Sequence, residues 1–413
     1  MKERQSLRSP FSFPRLLVCA FVLALAFRIG LALTLQERLY WPDSNWYFNV
    51  AERIAAGQGF GQSLTRGPVY PYFLSLILLF SSRLVVIRIC ESILSAFVCV
   101  LMGLLGKKLF SERVGLLAAF ASAVYPYFVY LPSAQGSDNI VTLLFLVSIL
   151  FLVGNGISLS LRNCLLSGFF LGLSLLARPS IAAAIPGILV WPVFLRRRPG
   201  VTVLFRNIVI TVAVALATVV PWTIHNYVVT GQFVFIATSG GRQFWCGNVA
   251  SATNITTDEN PVCPPELAQK LASLPDEVAR EKLFYKEGLA SIREHPKIAI
   301  KLYFRKLANL FQLFPLVRTP GTGPERSVVR TMVKLGSLVL FVFSFLGALL
   351  VVIKRSFAAV LPLIFISYCL GSAVLLTVMR YRLPVDPYII LLGSAALAFF
   401  LRWPSTLSSS ERP

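Results

Sequence analysis

The residues of this chain with the most chemical potential are Asp43, Tyr47, Arg66, Asp138, Arg178, Arg380 and Arg382, which are widely separated in sequence. Asp43 stands in YWPDSNWYFNVAERIAAGQGF, directly after a long apolar run, with Tyr47 and Ala51 behind it at helical spacing. A carboxylate can take the proton of an acceptor hydroxyl, and guanidinium groups can hold a departing phosphate through paired donors. Together these groups suit transfer of a group from a phosphate leaving group. The work lies in bringing them together.

Composition decides what positions them. Of 413 residues 56% are apolar and 14% charged, with a mean hydropathy of +0.72, so the chain carries more apolar surface than a soluble fold buries. It reads as an all-α polytopic membrane protein. The formal charge of +21 does not point to nucleic acid, because the Lys and Arg residues fall between apolar runs rather than among aromatics on one polar face. They mark the cytoplasmic ends of spans: Lys2, Arg4, Arg8 and Arg15; Lys107, Lys108 and Arg113; Arg162; Arg196, Arg197, Arg198 and Arg206; Lys354 and Arg355; Arg402. Placing them all inside gives about ten crossings, at 16–35, 85–105, 114–132, 139–154, 164–177, 180–195, 203–221, 332–353, 357–376 and 386–402. Both termini are then cytoplasmic. The first run has no small-residue cleavage site and is long enough to remain as an anchor.

Residues 68–82 form an apolar stretch of about fifteen residues, short for a crossing of about twenty. The reading adopted is a juxtamembrane or re-entrant helix on the outer face; a short tilted span is the alternative. Only the former lets Asp43 and Asp138 open onto the same side. The two short runs around Arg178-Pro179 read as a helical hairpin whose apex brings Arg178 to that side, or else as one kinked helix with a snorkelling Arg. These features divide the chain into a membrane module at 1–221 with its first outer loop at 36–84, an extracytoplasmic insertion at 222–331, and a C-terminal membrane segment at 332–413.

The insertion reads as small and mixed α/β. GQFVFIATSGG alternates β-branched and aromatic residues before two glycines, a strand-and-turn pattern. Two amphipathic helices follow at 275–295 and 296–313, the second setting Ile298, Leu302, Leu307 and Leu310 against Lys297, Lys301, Arg305 and Lys306, as a helix lying on a membrane does. Cys246 and Cys263 are candidates for a disulfide closing a loop of about seventeen residues and worth about 3 kcal/mol; two unpaired thiols are the alternative. No metal site is read, since His225 and His295 stand far apart and no ligand spacing occurs. Asn254-Ile255-Thr256 matches a glycosylation triplet.

Asp43, before a helix, reads as the base, with capping as its structural alternative. Asp138, opening the span GSDNIVTLLF, is equally a cap or a wall of the site. Arg66 in TRGPVYPY reaches a phosphate or a lipid headgroup. Arg380 and Arg382 in MRYRLPVDPY, two apart on an extended strand, would share one side and grip a phosphodiester, with generic headgroup contact as the other reading.

The ordered set PDSNWYFNVAERIAAGQGF, TRGPVYPYFLSLILL, GSDNIVTLLF, LARPS, PWTIHNYVVTGQFVFIATSGGRQFWCGN and MRYRLPVDPY resembles the GT-C-fold glycosyltransferases, in particular the bacterial relatives of protein O-mannosyltransferases and the lipid A aminoarabinose transferase. The resemblance implies a bacterial inner-membrane enzyme with its active site on the extracytoplasmic face. It would move a hexosyl or pentosyl group from a polyprenyl-phosphate sugar to a lipid, glycan or protein acceptor, with inversion. In that family the first outer-loop acid, here Asp43, is essential, the second acid maps to Asp138, and Arg66, Arg380 and Arg382 would contact the carrier phosphate. No organic cofactor is implied, and metal dependence is left open. Many members carry an acid after the first, where this chain has Ser44. A lipid-linked sugar flippase and a non-catalytic envelope assembly protein are the rival readings, although no internal repeat of the transporter kind is found.

Overall fold

The computed structural model describes residues 12–154, 156, 160–195, 200–251, 263–313 and 326–401. Among these the chain is helical. The membrane part opens with α1 (Phe13–Thr34), α2 (Pro42–Ala55), α3 (Val69–Leu78), α4 (Leu84–Leu109), α5 (Glu112–Val124), α6 (Pro126–Tyr130), α7 (Asp138–Val153), α8 (Leu161–Ala177), α9 (Ile185–Phe194) and α10 (Val201–Thr230). The insertion adds α11 (Gly240–Asn248), α12 (Pro265–Ala272), α13 (Glu277–Glu294) and α14 (Pro296–Leu310), and the chain closes with α15 (Arg326–Ile353), α16 (Val360–Ser372) and α17 (Asp386–Phe400). Tight 3-10 turns lie at Leu131–Ala134, Pro179–Ala184, Phe357–Ala359 and Met379–Val385.

Among the described residues, five helical stretches are long and apolar enough to cross a membrane: α1, α4, α10, Thr331–Ile353 and Met379–Phe400; the bent pair Glu112–Val124 and Pro126–Ala134 makes a sixth if taken as one span. The molecule is an integral membrane protein. Of the other expected crossings, α7, α8, Pro179–Phe194 and Phe357–Ser372 are apolar helices shorter than a full span. Helix α3 has only ten residues and rises about 15 Å, half a hydrocarbon core of about 30 Å. The clusters at 2–8, 196–198 and Arg402, and the triplet at 254–256, lie outside the described residues.

Helices pack closely where their sequences allow it. Gly168 and Gly172 lie one turn apart on α8, and a side chain on Gly172 would sit 2.8 Å from the Ala215 carbonyl of α10. Such small residues let backbones meet where lipid offers no hydrophobic drive. Charges inside the bundle are also paid off by hydrogen bonds: Arg28 of α1 is fully buried and donates to Ser95 Oγ (2.8 Å) and to the carbonyls of Ala24 (2.9 Å), Ala123 (3.1 Å) and Ser122 (3.2 Å). Arg88 of α4 donates to the carbonyls of Gln36 and Arg38, both at 2.9 Å, and so ties down the start of the loop after α1.

The strand expected after α10 is absent among the described residues. The alternation itself holds: Val234 and Ile236 are buried while Phe233 and Phe235 are exposed. No second strand pairs with this segment, because α10 continues to Thr230 and supplies the donors instead. Trp222 Nε1 donates to the Ile236 carbonyl (2.9 Å), Thr223 Oγ1 to Phe235 (2.7 Å) and Asn226 Nδ2 to Val234 (3.0 Å). Extended backbone whose carbonyls are satisfied by a helix has no need of a sheet. A second expectation also changes, since Lys306 does not share the exposed basic face of α14. It is buried, with Nζ donating to Asn248 Oδ1 at 3.0 Å, while Ile300 and Phe304 of the same helix are exposed. Burial pushes its ammonium down to a pKa of about 8.

Candidate active site

A cavity of about 270 Å³ lies where α2, the loop before α3, the start of α7, the break after α8, the insertion and the 379–385 turn converge. Its wall includes Asp43, Tyr47, Arg66, Asp138, Arg178 and Arg380, six of the seven side chains singled out above. Arg382 is not among them.

Asp43 lies in the first turn of α2, whose N-cap is Trp41, and its carboxylate does not cap the helix. Its Oδ1 accepts from Arg66 Nη2 at 2.7 Å and its Oδ2 from Arg380 Nη2 at 2.7 Å. Partners 23 and 337 residues away thus meet on one side chain. Burial pushes the carboxyl of Asp43 up, but Arg380, Arg66 and then Arg178 more than reverse this and hold it below its ordinary value. The neighbouring Ser44 is buried, donating to the carbonyls of Ala134 (3.1 Å) and Gln135 (2.9 Å). It fastens α2 to the turn ahead of Asp138.

Asp138 opens α7 but engages Arg178 in an ion pair instead of closing the helix end. The chain breaks at Arg178, between α8 and the Pro179–Ala184 turn, and this break points the guanidinium at Asp138 and over the ring of Tyr381 (4.6 Å). Arg380 lies over Trp41 at 4.7 Å, and Arg66 over Tyr47 at 5.5 Å. Tyr47 itself is buried and donates to Ser137 Oγ at 3.2 Å. Stacked guanidiniums lose little freedom when they bind an oxyanion, because the rings already orient them.

Arg382 behaves otherwise. Residues 379–385 form a 3-10 turn, not an extended strand, so side chains two apart diverge instead of sharing a side. Arg382 points into the core, where Nε meets Asp386 Oδ1 at 2.5 Å, Nη1 meets the Leu310 carbonyl at 2.5 Å and Tyr125 Oη donates to Asp386 at 2.8 Å. A cation so fully engaged and buried is a structural tie, not a ligand contact.

Two acids of α13, not marked by any sequence motif, reach this region. Glu277 Oε1 accepts from Ser63 (2.8 Å) and Thr65 (3.3 Å), and Oε2 accepts from the Leu64 amide (3.0 Å) and Thr238 (3.0 Å). The loop that carries Arg66 is therefore held by the insertion. Gly67 completes this placement, for a side chain there would run into the Leu176 carbonyl. Glu281, one turn further on, lines the cavity; burial pushes its carboxyl up, opposed by the amides of Gly241 and Gly240. Spacing of four residues along one helix was the available signal, but in sequence it reads as a solvated face.

Cys246 and Cys263 are free thiols packed in one small cluster with Trp245 and Leu267. Among the described residues no group of three or more His, Cys, Asp or Glu side chains comes together. Asp43 holds the guanidiniums of Arg66 and Arg380, and Asp138 that of Arg178.

The helical architecture is similar to that of solved proteins of the GT-C fold. A sequence model of the family described as dolichyl-phosphate-mannose-protein mannosyltransferase matches residues 65–225, the stretch containing Arg66, Asp138 and Arg178. The archaeal oligosaccharyltransferase AglB from Archaeoglobus fulgidus, solved with an inhibitory peptide and a dolichol-phosphate, aligns with a TM-score of 0.59 at 14% identity over 94% of this chain and 50% of that one. Its apo form aligns with a TM-score of 0.58 at 14% identity, over 96% and 51%. The chain thus spans about half the length of that oligosaccharyltransferase. ArnT from Cupriavidus metallidurans, solved bound to undecaprenyl phosphate, aligns with a TM-score of 0.45 at 16% identity over 93% of this chain and 77% of its own. No curated protein matches the chain in sequence.

Proposed function

We propose that this protein is a membrane glycosyltransferase that moves a hexosyl or pentosyl group from a polyprenyl-phosphate sugar to an acceptor hydroxyl on the extracytoplasmic face of a bacterial inner membrane. The observation that carries the reading is the carboxylate of Asp43 held between Arg66 and Arg380 inside one cavity.

Asp43 is ionised but a weak base while Arg66 and Arg380 occupy both of its oxygens. A lipid phosphate entering the cavity competes for the same guanidiniums. As Arg66 and Arg380 turn to it, Asp43 regains basicity and an open oxygen at the moment the donor is in place. The acceptor hydroxyl then gives its proton to Asp43, its oxygen bonds to the anomeric carbon, and the bond from that carbon to the phosphate oxygen breaks. The electron pair leaves with the polyprenyl phosphate, whose charge Arg66, Arg380 and Arg178 receive. A single displacement of this kind inverts the anomeric centre. Asp138 positions Arg178, and no step needs an organic cofactor.

The membrane segments at 1–221 and 332–413 would hold the prenyl chain, and the insertion at 222–331 would cover the site and meet the acceptor lipid, glycan or protein. To test the reading, the protein is reconstituted in vesicles with a labelled polyprenyl-phosphate sugar and an envelope extract as acceptor source. Passage of label to an acceptor supports it. Movement of the intact donor across the bilayer without transfer points to a flippase, and neither to an assembly protein. Cysteine accessibility at positions 43 and 138 fixes the face, and labelling from opposite sides sinks the scheme.

A further inference from the structure

The cavity has two unlike halves. The part built by the membrane helices is arginine-rich, and its cations already hold Asp43 and Asp138. The part built by the insertion contains Ser239, Gln243, Glu281 and Tyr285. Glu281 is the carboxylate of this second part, and among the described residues no Lys or Arg forms an ion pair with it. Its Oε1 accepts from the Gly241 amide at 3.2 Å, at the start of α11. Gly241 allows this approach, because a side chain there would meet the α13 backbone at Glu281. The carboxylate is thereby anchored at the start of α11 while it lines the cavity. Tyr285 follows one turn later, its ring packed on Phe244 at 5.6 Å between centroids.

An acceptor-only oxygen beside a phenol and an amide is matched to a ligand rich in hydroxyl groups. A phosphate would avoid it. A volume of about 270 Å³ equals about nine waters, which suits one sugar ring with its phosphate.

We propose that Glu281, assisted by Tyr285 and Gln243, is a specificity-determining residue that receives hydroxyl groups of the sugar carried by the lipid phosphate. The inference rests on the donor class proposed above. The phosphate occupies the arginine side, the sugar projects toward the insertion, and Glu281 selects among sugars by accepting hydrogen bonds.

The test compares binding of bare undecaprenyl phosphate with undecaprenyl phosphates carrying a hexose, a pentose and an aminopentose, for the wild type, Glu281→Gln and Tyr285→Phe. Glu281→Gln retains a carbonyl oxygen for the Gly241 amide and so keeps the α11 contact. Tyr285→Phe keeps the ring contact with Phe244. In the wild type at least one sugar-bearing carrier is expected to bind more tightly than the bare carrier. That advantage falls about tenfold to a hundredfold in Glu281→Gln, and less in Tyr285→Phe, while bare-carrier affinity stays within about twofold. Equal losses for bare and sugar-bearing carriers would assign Glu281 a structural role and overturn the proposal. So would an unchanged sugar advantage, or no advantage for any sugar in the wild type. Failure of the wild type to bind any polyprenyl phosphate would instead refute the donor class itself.

Discussion

Replacing Asp43 with Asn separates the two roles that its carboxylate plays in the scheme. The substitution keeps shape but removes the charge that holds Arg66 and Arg380 at 2.7 Å each. As the base, Asp43 is worth about 10²- to 10⁴-fold in turnover, and Asn cannot take the proton. Its effect on the carrier runs the other way. A carboxylate and a phosphate sharing a guanidinium stand about 6 Å apart and repel by about 1 to 3 kcal/mol at an effective dielectric between about 20 and 50. Removing that repulsion should tighten bare undecaprenyl phosphate about fivefold to a hundredfold. Transfer is measured with the labelled donor in vesicles, and affinity with the bare carrier in detergent. Turnover within tenfold of wild type would take Asp43 out of proton transfer. Weaker carrier binding would mean that the phosphate does not sit on Arg66 and Arg380.

Arg382→Met leaves Asp386 buried without its cation and should cost about 3 to 5 kcal/mol, seen as a lower thermal midpoint; adding Asp386→Leu should restore much of it, because the orphaned charge goes too. Lys306 has a folded pKa of about 8 against an ordinary 10.5, so the unfolded chain binds more protons between those values. Stability should therefore rise with pH from about 8 to 10.5, and denaturant unfolding across that window should show a flatter profile in Lys306→Met. Gly67→Ala forces a methyl against the Leu176 carbonyl and should displace Arg66, weakening carrier binding while the helix content measured by circular dichroism is kept.

The sequence disclosed the residues of the cavity better than the shapes that deliver them. Asp43, Arg66, Asp138, Arg178 and Arg380 stood out because charge next to an apolar run is costly unless something uses it. The same logic does not say what that use is: Arg28 and Arg88 are equally costly and serve as fasteners for backbone carbonyls. Two-residue spacing groups Arg382 with Arg380 only at the period of a strand, and the tighter 3-10 turn parts them. The alternation after α10 reported true burial, but its hydrogen-bond partners are side chains a few residues upstream, which pattern alone does not distinguish from a neighbouring strand. The neighbours of Lys306 in α14 suggest a surface cation; its buried partners, Asn248 and the Val374 carbonyl, lie on distant segments. Glu277 and Glu281 could not be told from an ordinary wet helix face until the loop at 63–65 was seen to reach them.

Glu277 grips three consecutive residues next to Arg66 from a helix outside the membrane bundle. That grip makes α13 a lever: a tilt produced by whatever docks on the insertion is delivered directly to a guanidinium of the cavity. A shift of the insertion can thus reach the cavity without any movement of the spans.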